Sequence, residues 1–127
     1  FASLYDVDEN VVIGSVPASA GKTTIVDYGD LKTLGEKFAK NRGGTVTSAQ
    51  ARETDAYVFY DFEFSYPVDK TLPRPGSRDA ENMIELYTLT VAKGRLWSVK
   101  ATSNDKLFDA KHEKALRASI ASFVPRL

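Results

Sequence analysis

The segment that most constrains the fold of this chain is Tyr57–Tyr66, which reads YVFYDFEFSY. Its even-numbered positions are all aromatic or aliphatic, whereas its odd-numbered positions change from aromatic to acidic after Phe59. A period of two in aromatic and β-branched residues is typical of a β-strand. The segment therefore predicts a long central strand of one antiparallel sheet. We expect its even face to be covered and the acidic half of its odd face to meet water.

Length and charge limit the classes of protein to which this chain can belong. A chain of 127 residues predicts a single domain over residues 1–127. Its 17 basic and 17 acidic residues argue against a broad nucleic-acid-binding surface. No apolar run approaches the ~20 residues of a membrane span, so none is predicted. The absence of cysteine excludes disulfides and thiolate chemistry, and the first residue, Phe1, indicates a processed or truncated chain.

The remaining elements follow from the same periodicities. Alternating or β-branched segments predict strands at Val11–Val16, Thr45–Glu53, Asn82–Lys93 and Arg95–Thr102, and the end of another at Phe1–Asp6. Apolar spacings of three and four predict a helix from Asp30 to Lys40, and a last helix from about Asn104 to Pro125. Because the strands are grouped rather than alternating with helices, we predict an α+β fold with an antiparallel sheet.

Paired carboxylates are the first candidates for catalysis. Asp61 and Glu63 lie two residues apart on one strand face, roughly 7 Å by strand rise, which suits glycoside hydrolysis. The solvated half of a strand is the favoured interpretation, and we expect the same of Glu81 and Glu85. A small hydrolase using Asp61 and Glu63 is kept as an alternative function.

Two motifs that suggest ligand binding are weak. The string Gly21–Thr24 resembles the end of a phosphate-binding loop, but Val16 stands where the motif needs a glycine and no helix follows directly. An aromatic platform could be built from Trp97, Tyr87 and Phe59, although cross-strand core partners are favoured. We expect neither motif to bind a ligand.

No cofactor or metal site is predicted. The single histidine, His112, could join Asp109 and Glu113 on the last helix in holding a metal, but a solvated helix face is favoured. A carrier of a metal or small ligand is kept as a third alternative.

Basic residues gather at loop ends. The irregular segment from Pro67 to Glu81 is long for a connection, and such segments are usually functional or disordered. Cations at such positions suit docking on an acidic protein surface, although a merely soluble surface explains their spacing equally well. The predicted partner-binding residues are Lys70, Arg74, Arg78, Lys93, Arg95, Lys106 and Lys111.

Several strings, in order along nearly the whole chain, resemble the PsbP family, the extrinsic lumenal proteins of oxygenic photosynthesis. They are residues 10–13 (NVVI), 25–29 (IVDYG), 57–64 (YVFYDFEF), 90–97 (TVAKGRLW), 100–101 with 105–108 (KA and DKLF), and 122–124 (SFV). The resemblance implies an α-β-α sandwich, in which helices flank a central antiparallel sheet on both faces.

The resemblance also implies a setting and a role. The setting is the thylakoid lumen of a chloroplast or cyanobacterium. The best-known member is a non-enzymatic subunit on the lumenal face of photosystem II, where it supports calcium and chloride retention for oxygen evolution. We therefore expect an extrinsic photosystem II protein. The alternative within the family is an assembly or repair factor, or a subunit of photosystem I or an NDH complex.

Three departures from the family pattern are visible. The chain is expected to begin in the family's second strand and so to lack its N-terminal hairpin. A histidine implicated in metal binding in some members falls near Ile84, so calcium or manganese association has no ligand cluster to support it here. The segment from Pro67 to Glu81 is longer and more basic than in PsbP itself, which points to a PsbP-like relative.

Overall fold

The computed structural model describes residues 10–54, 57–67, 81–104 and 117. The strands are β1 (Asn10–Pro17), β2 (Thr45–Glu53), β3 (Val58–Pro67), β4 (Asn82–Ala92) and β5 (Arg95–Asn104); a 3-10 turn covers Ile25–Tyr28 and helix α1 covers Leu31–Asn41. The prediction is confirmed for these strands and the first helix. The strand predicted at Phe1–Asp6 lies outside the described residues. So does the predicted last helix, except for Arg117.

The five strands form one antiparallel sheet in the order β1-β5-β4-β3-β2. Strands β2 to β5 pair successively, as expected for connected neighbours, whereas β1 pairs with β5 on the far side. Among the five described strands the middle position is therefore taken by β4. The prediction that the Tyr57–Tyr66 strand is central is wrong by one position in this part of the sheet, where β3 lies between β4 and β2.

The even face of β3 is covered, as predicted. Tyr60, Phe62 and Phe64 are buried in one core cluster with Leu34 of α1 and Ile25 of the 3-10 turn. Apolar positions on α1 face the sheet because they recur at helical spacing. The helix lies so close to β3 that a side-chain carbon on Gly35 would stand 3.1 Å from the Phe62 ring.

Both ends of α1 are defined by its neighbours. Asp30 takes the extended backbone of an N-cap, as predicted, but makes no side-chain capping hydrogen bond. After Asn41 the chain reverses through Gly43, which has a φ of 70°. Gly44 then lies against β3, where a Cβ would stand 2.2 Å from the Ser65 carbonyl oxygen. These two glycines place β2 directly beside β3.

The opposite face of the sheet is also buried at its centre, at Phe59, Leu86, Val99 and Ala101. Arg117 has a helical backbone and forms an ion pair with Glu63 on this face. The described part of the chain contains one α-helix, so helices on both faces of the sheet stay a prediction.

Candidate functional site

Asp61 is held by an arginine and a threonine. The Arg52 guanidinium donates to both Asp61 carboxylate oxygens, at 2.7 and 3.2 Å, and the Thr88 hydroxyl donates to Oδ1 at 2.6 Å. The same guanidinium lies 4.2 Å from the centre of the Phe59 ring. This packing places Arg52 between a carboxylate and an aromatic face, the arrangement of a structural ion pair.

Glu63 is held in the same way. The Thr47 hydroxyl donates to its carboxylate at 2.9 Å, and Arg117 forms an ion pair with it. The side chains of Asp61 and Glu63 are only 19% and 17% exposed, so the prediction that this half of the strand meets water is largely wrong.

A hollow of about 220 Å³ opens beside these groups, and Arg52, Asp61, Thr88 and Arg117 are among the residues that line it. A hydrolase would need one carboxylate as a proton donor and the other available as a base or nucleophile. Here each carboxylate is bound to an arginine. The geometry therefore gives no support to hydrolysis by Asp61 and Glu63.

A third ion pair is buried on the α1 side of the sheet. The Arg42 Nε donates to Glu85 Oε2 at 2.9 Å, and Arg42 Nη2 lies 2.7 Å from the same oxygen. The Tyr66 hydroxyl donates to Glu85 Oε1 at 3.1 Å. The Arg42 guanidinium also lies 4.7 Å from the centre of the Phe64 ring and 5.0 Å from that of Tyr87. Each carboxylate oxygen of Glu85 thus has a hydrogen-bond partner, and the guanidinium paired with it lies against aromatic rings.

This cluster perturbs its tyrosines. Burial, followed by the negative charge of Glu85 and the hydrogen bond to it, raises the pKa of Tyr66 to about 12, against the opposing charge of Arg42. Burial also raises the pKa of Tyr87, again with Arg42 opposing. The neutral phenol is thus favoured for both tyrosines, and for Tyr66 this state fits its role as a hydrogen-bond donor to Glu85.

Sequence reasoning missed this cluster. Glu85 was expected to be solvated, but it is 2% exposed, so that prediction is wrong. The signal was available, since Glu85 interrupts the apolar run from Met83 to Tyr87 and an acid at a core position requires a buried partner. The identity of that partner was not available, because Arg42 comes from the end of α1, 43 residues away.

The Gly21–Thr24 segment is not a phosphate site. The Asp27 carboxylate accepts hydrogen bonds from the backbone N–H of Thr23 and Thr24, at 2.9 and 3.1 Å. Those hydrogen bonds lower the pKa of Asp27. The place that a bound phosphate would take is therefore filled by the chain's own carboxylate.

The aromatic platform is likewise not assembled. In the strand register Phe59 pairs with Thr90, and Thr90 pairs with Trp97, which places these three on one face of the sheet. Tyr87 pairs with Phe62 and lies on the other face. The three aromatic residues therefore cannot stack on one ligand.

The β4–β5 hairpin carries the two predicted docking cations that the structure describes. Lys93 and Gly94 form the turn with φ values of 47° and 77°, and Lys93 is exposed. Arg95 donates to the Ser15 Oγ at 3.0 Å and to its carbonyl oxygen at 3.3 Å, so its guanidinium is fixed against β1. The other predicted partner-binding residues lie outside the described residues; they are Lys70, Arg74, Arg78, Lys106 and Lys111.

Within residues 10–54, 57–67, 81–104 and 117, no three histidine, aspartate or glutamate side chains are grouped closely enough to hold a metal ion. The candidate trio of Asp109, His112 and Glu113 lies outside that part of the chain. Helix α1, the α-helix that the structure describes in full, is too short and too polar to cross a membrane.

Comparison with known proteins gives one consistent result. The family model described as PsbP matches residues 1–124. A curated protein of the cyanobacterium Synechocystis sp. PCC 6803, named CyanoP, is 26% identical over 129 residues, covering 96% of this chain but 63% of the relative, less than two thirds of its length. The solution structure of cyanobacterial PsbP (CyanoP) from the same organism shares the fold, with a TM-score of 0.75 and 19% identity over 98% of this chain and 72% of that chain.

Proposed function

Because this chain belongs to the PsbP family, we propose that it is a non-enzymatic extrinsic subunit that docks on photosystem II at the lumenal face of the thylakoid membrane. The observation that carries the proposal is the family match over residues 1–124. The similarity to CyanoP supports it. We further propose that residues 1–127 form a single PsbP-like domain, and that the predicted last helix completes an α-β-α sandwich.

The state of the acidic groups agrees with a binding role. Asp61 and Glu63 are each engaged by an arginine, and Glu85 is enclosed with Arg42. These pairs stabilise the fold on both faces of the sheet. A photosystem II subunit of this kind would support oxygen evolution by stabilising the complex, and would retain calcium and chloride indirectly, without binding the ions through these groups.

We propose that docking is electrostatic. Lys93 projects at the tip of a tight hairpin, and the segment from Pro67 to Glu81 adds Lys70, Arg74 and Arg78 in sequence. Cations at loop ends raise the association rate with an acidic surface and set orientation. Such contacts weaken at high salt, because the Debye length falls from ~10 Å at 0.1 M to ~3 Å at 1 M.

The test is reconstitution with photosystem II membranes that have been washed free of extrinsic proteins. We expect the purified protein to sediment with the membranes at low salt and to be released by molar salt. Lys93→Glu should weaken binding, whereas Lys37→Glu, an equal charge reversal on the exposed side of α1, should not.

Three outcomes would contradict the proposal. Retention after the molar wash, together with indifference to Lys93→Glu, would refute electrostatic docking. Binding to photosystem I or NDH complexes but not to photosystem II would reassign the partner. Association only with photosystem II assembly intermediates, and not with the mature complex, would make the protein an assembly or repair factor.

A further inference from the structure

The segment from Pro67 to Glu81 leaves the sheet and returns to it at one place, because it joins the end of β3 to the start of β4. Tyr66 lies opposite Met83 in the register, which makes Glu85 its diagonal neighbour on the same face of the sheet. The Tyr66 hydroxyl donates to Glu85 Oε1 at 3.1 Å. The two strands at the base of the segment are thus joined by a side-chain hydrogen bond as well as by their backbone ladder.

The end of α1 holds this joint from outside the sheet. Arg42, the C-cap residue of α1, is bound to Glu85 Oε2 through Nε at 2.9 Å and Nη2 at 2.7 Å. Its Nη1 donates to the Phe38 carbonyl at 2.9 Å, so the guanidinium is also held by its own helix. Two residues later the chain passes so close to β3 that a Cβ on Gly44 would stand 2.6 Å from the Tyr66 Cβ. Helix α1, β3 and β4 therefore meet at the base of the segment.

We call Arg42, Glu85 and Tyr66 the base cluster. Its ion pair is enclosed, since the Glu85 side chain is 2% exposed and that of Arg42 is 20% exposed. The rings of Phe64 and Tyr87 lie against the guanidinium. Polar contacts are stronger in such surroundings than in water, and a rearrangement that separated this pair would leave a buried charge without its partner. The base cluster therefore favours a single arrangement of the strand ends.

We propose that the base cluster positions the protein for docking, because it fixes the base of the Pro67–Glu81 segment and so sets the direction in which that segment meets a partner. The inference rests on the proposed function, since it takes this segment to be part of the docking surface. Strand ends that are fixed before binding lower the ordering cost of association. The charges that an acidic partner would recognise are not those of the base cluster; they belong to Lys70, Arg74 and Arg78.

A purely structural role of the base cluster leads to a different expectation. A cluster that only stabilised the fold would change docking through the fraction of folded protein, as would any other variant of equal stability. A positioning cluster changes docking in protein that is fully folded. It also leaves the number of docking charges unaltered, so the dependence of binding on salt stays the same.

The first experiment compares two tyrosine variants of the full chain in binding to washed photosystem II membranes. Tyr66→Phe removes the hydroxyl that donates to Glu85. Tyr60→Phe is the matched control, because Tyr60 lies on the same face of β3 and its hydroxyl donates to the Gly29 carbonyl at 3.1 Å, away from the base of the segment. We expect Tyr66→Phe to weaken binding by about fivefold with an unchanged dependence on salt, and Tyr60→Phe to change binding by less than about twofold.

A second pair of variants removes an arginine from each face of the sheet. Arg42→Met should weaken binding by about tenfold, because it frees α1 as well as Glu85 from the joint. Arg52→Met breaks the ion pair with Asp61 on the other face and should change binding by less than about twofold. Native circular dichroism is required of each variant, and Tyr66→Phe keeps the test valid if Arg42→Met folds poorly.

The second experiment does not depend on photosystem II. Trypsin can cut the segment after Lys70 and Arg78, and the initial rate of these cuts in the native protein reports how often the segment opens. Tyr66→Phe should raise this rate by about fivefold, whereas Tyr60→Phe should leave it unchanged. Cleavage after Lys37, which lies inside α1, reports unfolding of the helix and should not rise with it. Mass spectrometry distinguishes the cuts.

The outcomes separate the two proposals. If the wild-type protein binds the membranes and Tyr66→Phe binds equally well, the positioning role is refuted while the proposed function stands. If the wild-type protein does not bind, the proposed function fails, and the digestion decides whether the base cluster fixes the segment. Equal losses of binding in Tyr66→Phe and Tyr60→Phe would overturn the positioning role. Cleavage after Lys37 that rises together with cleavage after Lys70 would also overturn it, because the cluster would then act through stability alone.

Discussion

The buried pair of Arg42 and Glu85 provides a quantitative test of what holds the sheet to α1. Replacing Arg42 by methionine keeps most of the side-chain volume but leaves a carboxylate that is 2% exposed without its cation. Removing one partner of a buried pair costs about 3–5 kcal/mol, mainly because the remaining charge stays buried. Loss of the hydrogen bond that Arg42 Nη1 donates to the Phe38 carbonyl at 2.9 Å acts in the same direction. We therefore expect Arg42→Met to lower the free energy of unfolding by about 4 kcal/mol.

A double-mutant cycle separates the charge from the packing. Glu85→Gln keeps an acceptor for the Tyr66 hydroxyl and removes the charge. If the stranded carboxylate dominates, the double variant Arg42→Met/Glu85→Gln should be more stable than Arg42→Met alone by about 2 kcal/mol. Arg52→Met is the comparison on the other face, where the Asp61 side chain is 19% exposed and retains Thr88. Its cost should be smaller.

Urea denaturation followed by fluorescence of Trp97, the single tryptophan, measures these differences. With a slope of about 1–3 kcal/mol/M for a small domain, a 4 kcal/mol loss moves the midpoint by roughly 2 M. A loss below about 1 kcal/mol for Arg42→Met would refute the reasoning, because this is the scale of a solvated ion pair. If the losses in the two single variants simply add in the double variant, then packing, and not the unpaired charge, sets the cost of Arg42→Met.

Three further predictions follow from the same contacts. The pKa of Tyr66 is about 12 in the folded state against an ordinary 10.0, so its neutral phenol contributes stability that is complete below pH 10 and is lost as the pH rises towards 12. Tyr66→Phe should remove this fall of the urea midpoint with rising pH. It should also lower the free energy of unfolding by about 1 kcal/mol at neutral pH. Gly44→Ala should destabilise far more than Gly43→Ala in thermal melts, because a Cβ on Gly44 meets backbone at 2.2 Å whereas Gly43 opens to free space and carries only its positive φ. The pKa of Asp27 is lowered from 3.8 by its hydrogen bonds, so the ionised carboxylate stabilises the fold above that pH, and this stabilisation is lost as the pH falls through the folded-state pKa. Asp27→Asn should therefore lower the melting temperature at neutral pH. The difference in melting temperature between the wild-type protein and the variant should narrow in acid.

Local patterns in the sequence predicted the elements because each pattern reports a local constraint. The alternation in Tyr57–Tyr66 and the spacing of apolar residues after Asp30 predicted β3 and α1 within about one residue at each end. The strand order could not be obtained in this way, since nothing in β1 indicates that it pairs with β5 rather than with its neighbour in sequence. The same limit explains why β3 was placed at the centre of the sheet.

The candidate site shows the same division between what a local pattern predicts and what the fold determines. Asp61 and Glu63 were correctly placed on one face of one strand, but their environment depends on Arg52, 9 residues away, and on Arg117, 54 residues away. A carboxylate on a strand looks alike in sequence whether it faces water, a substrate or a guanidinium. Only the residues brought beside it by the fold decide among these.

The pairing of acids within the sheet then bears on function. Acids of the described sheet are matched across elements, as Glu85 is by Arg42 and Asp61 by Arg52, so those charges are used within the fold. A partner or substrate could engage such an acid only by breaking its pair, which would leave the other charge without its partner. For this reason we expect a partner to contact the predicted docking cations at loop ends and not these acids.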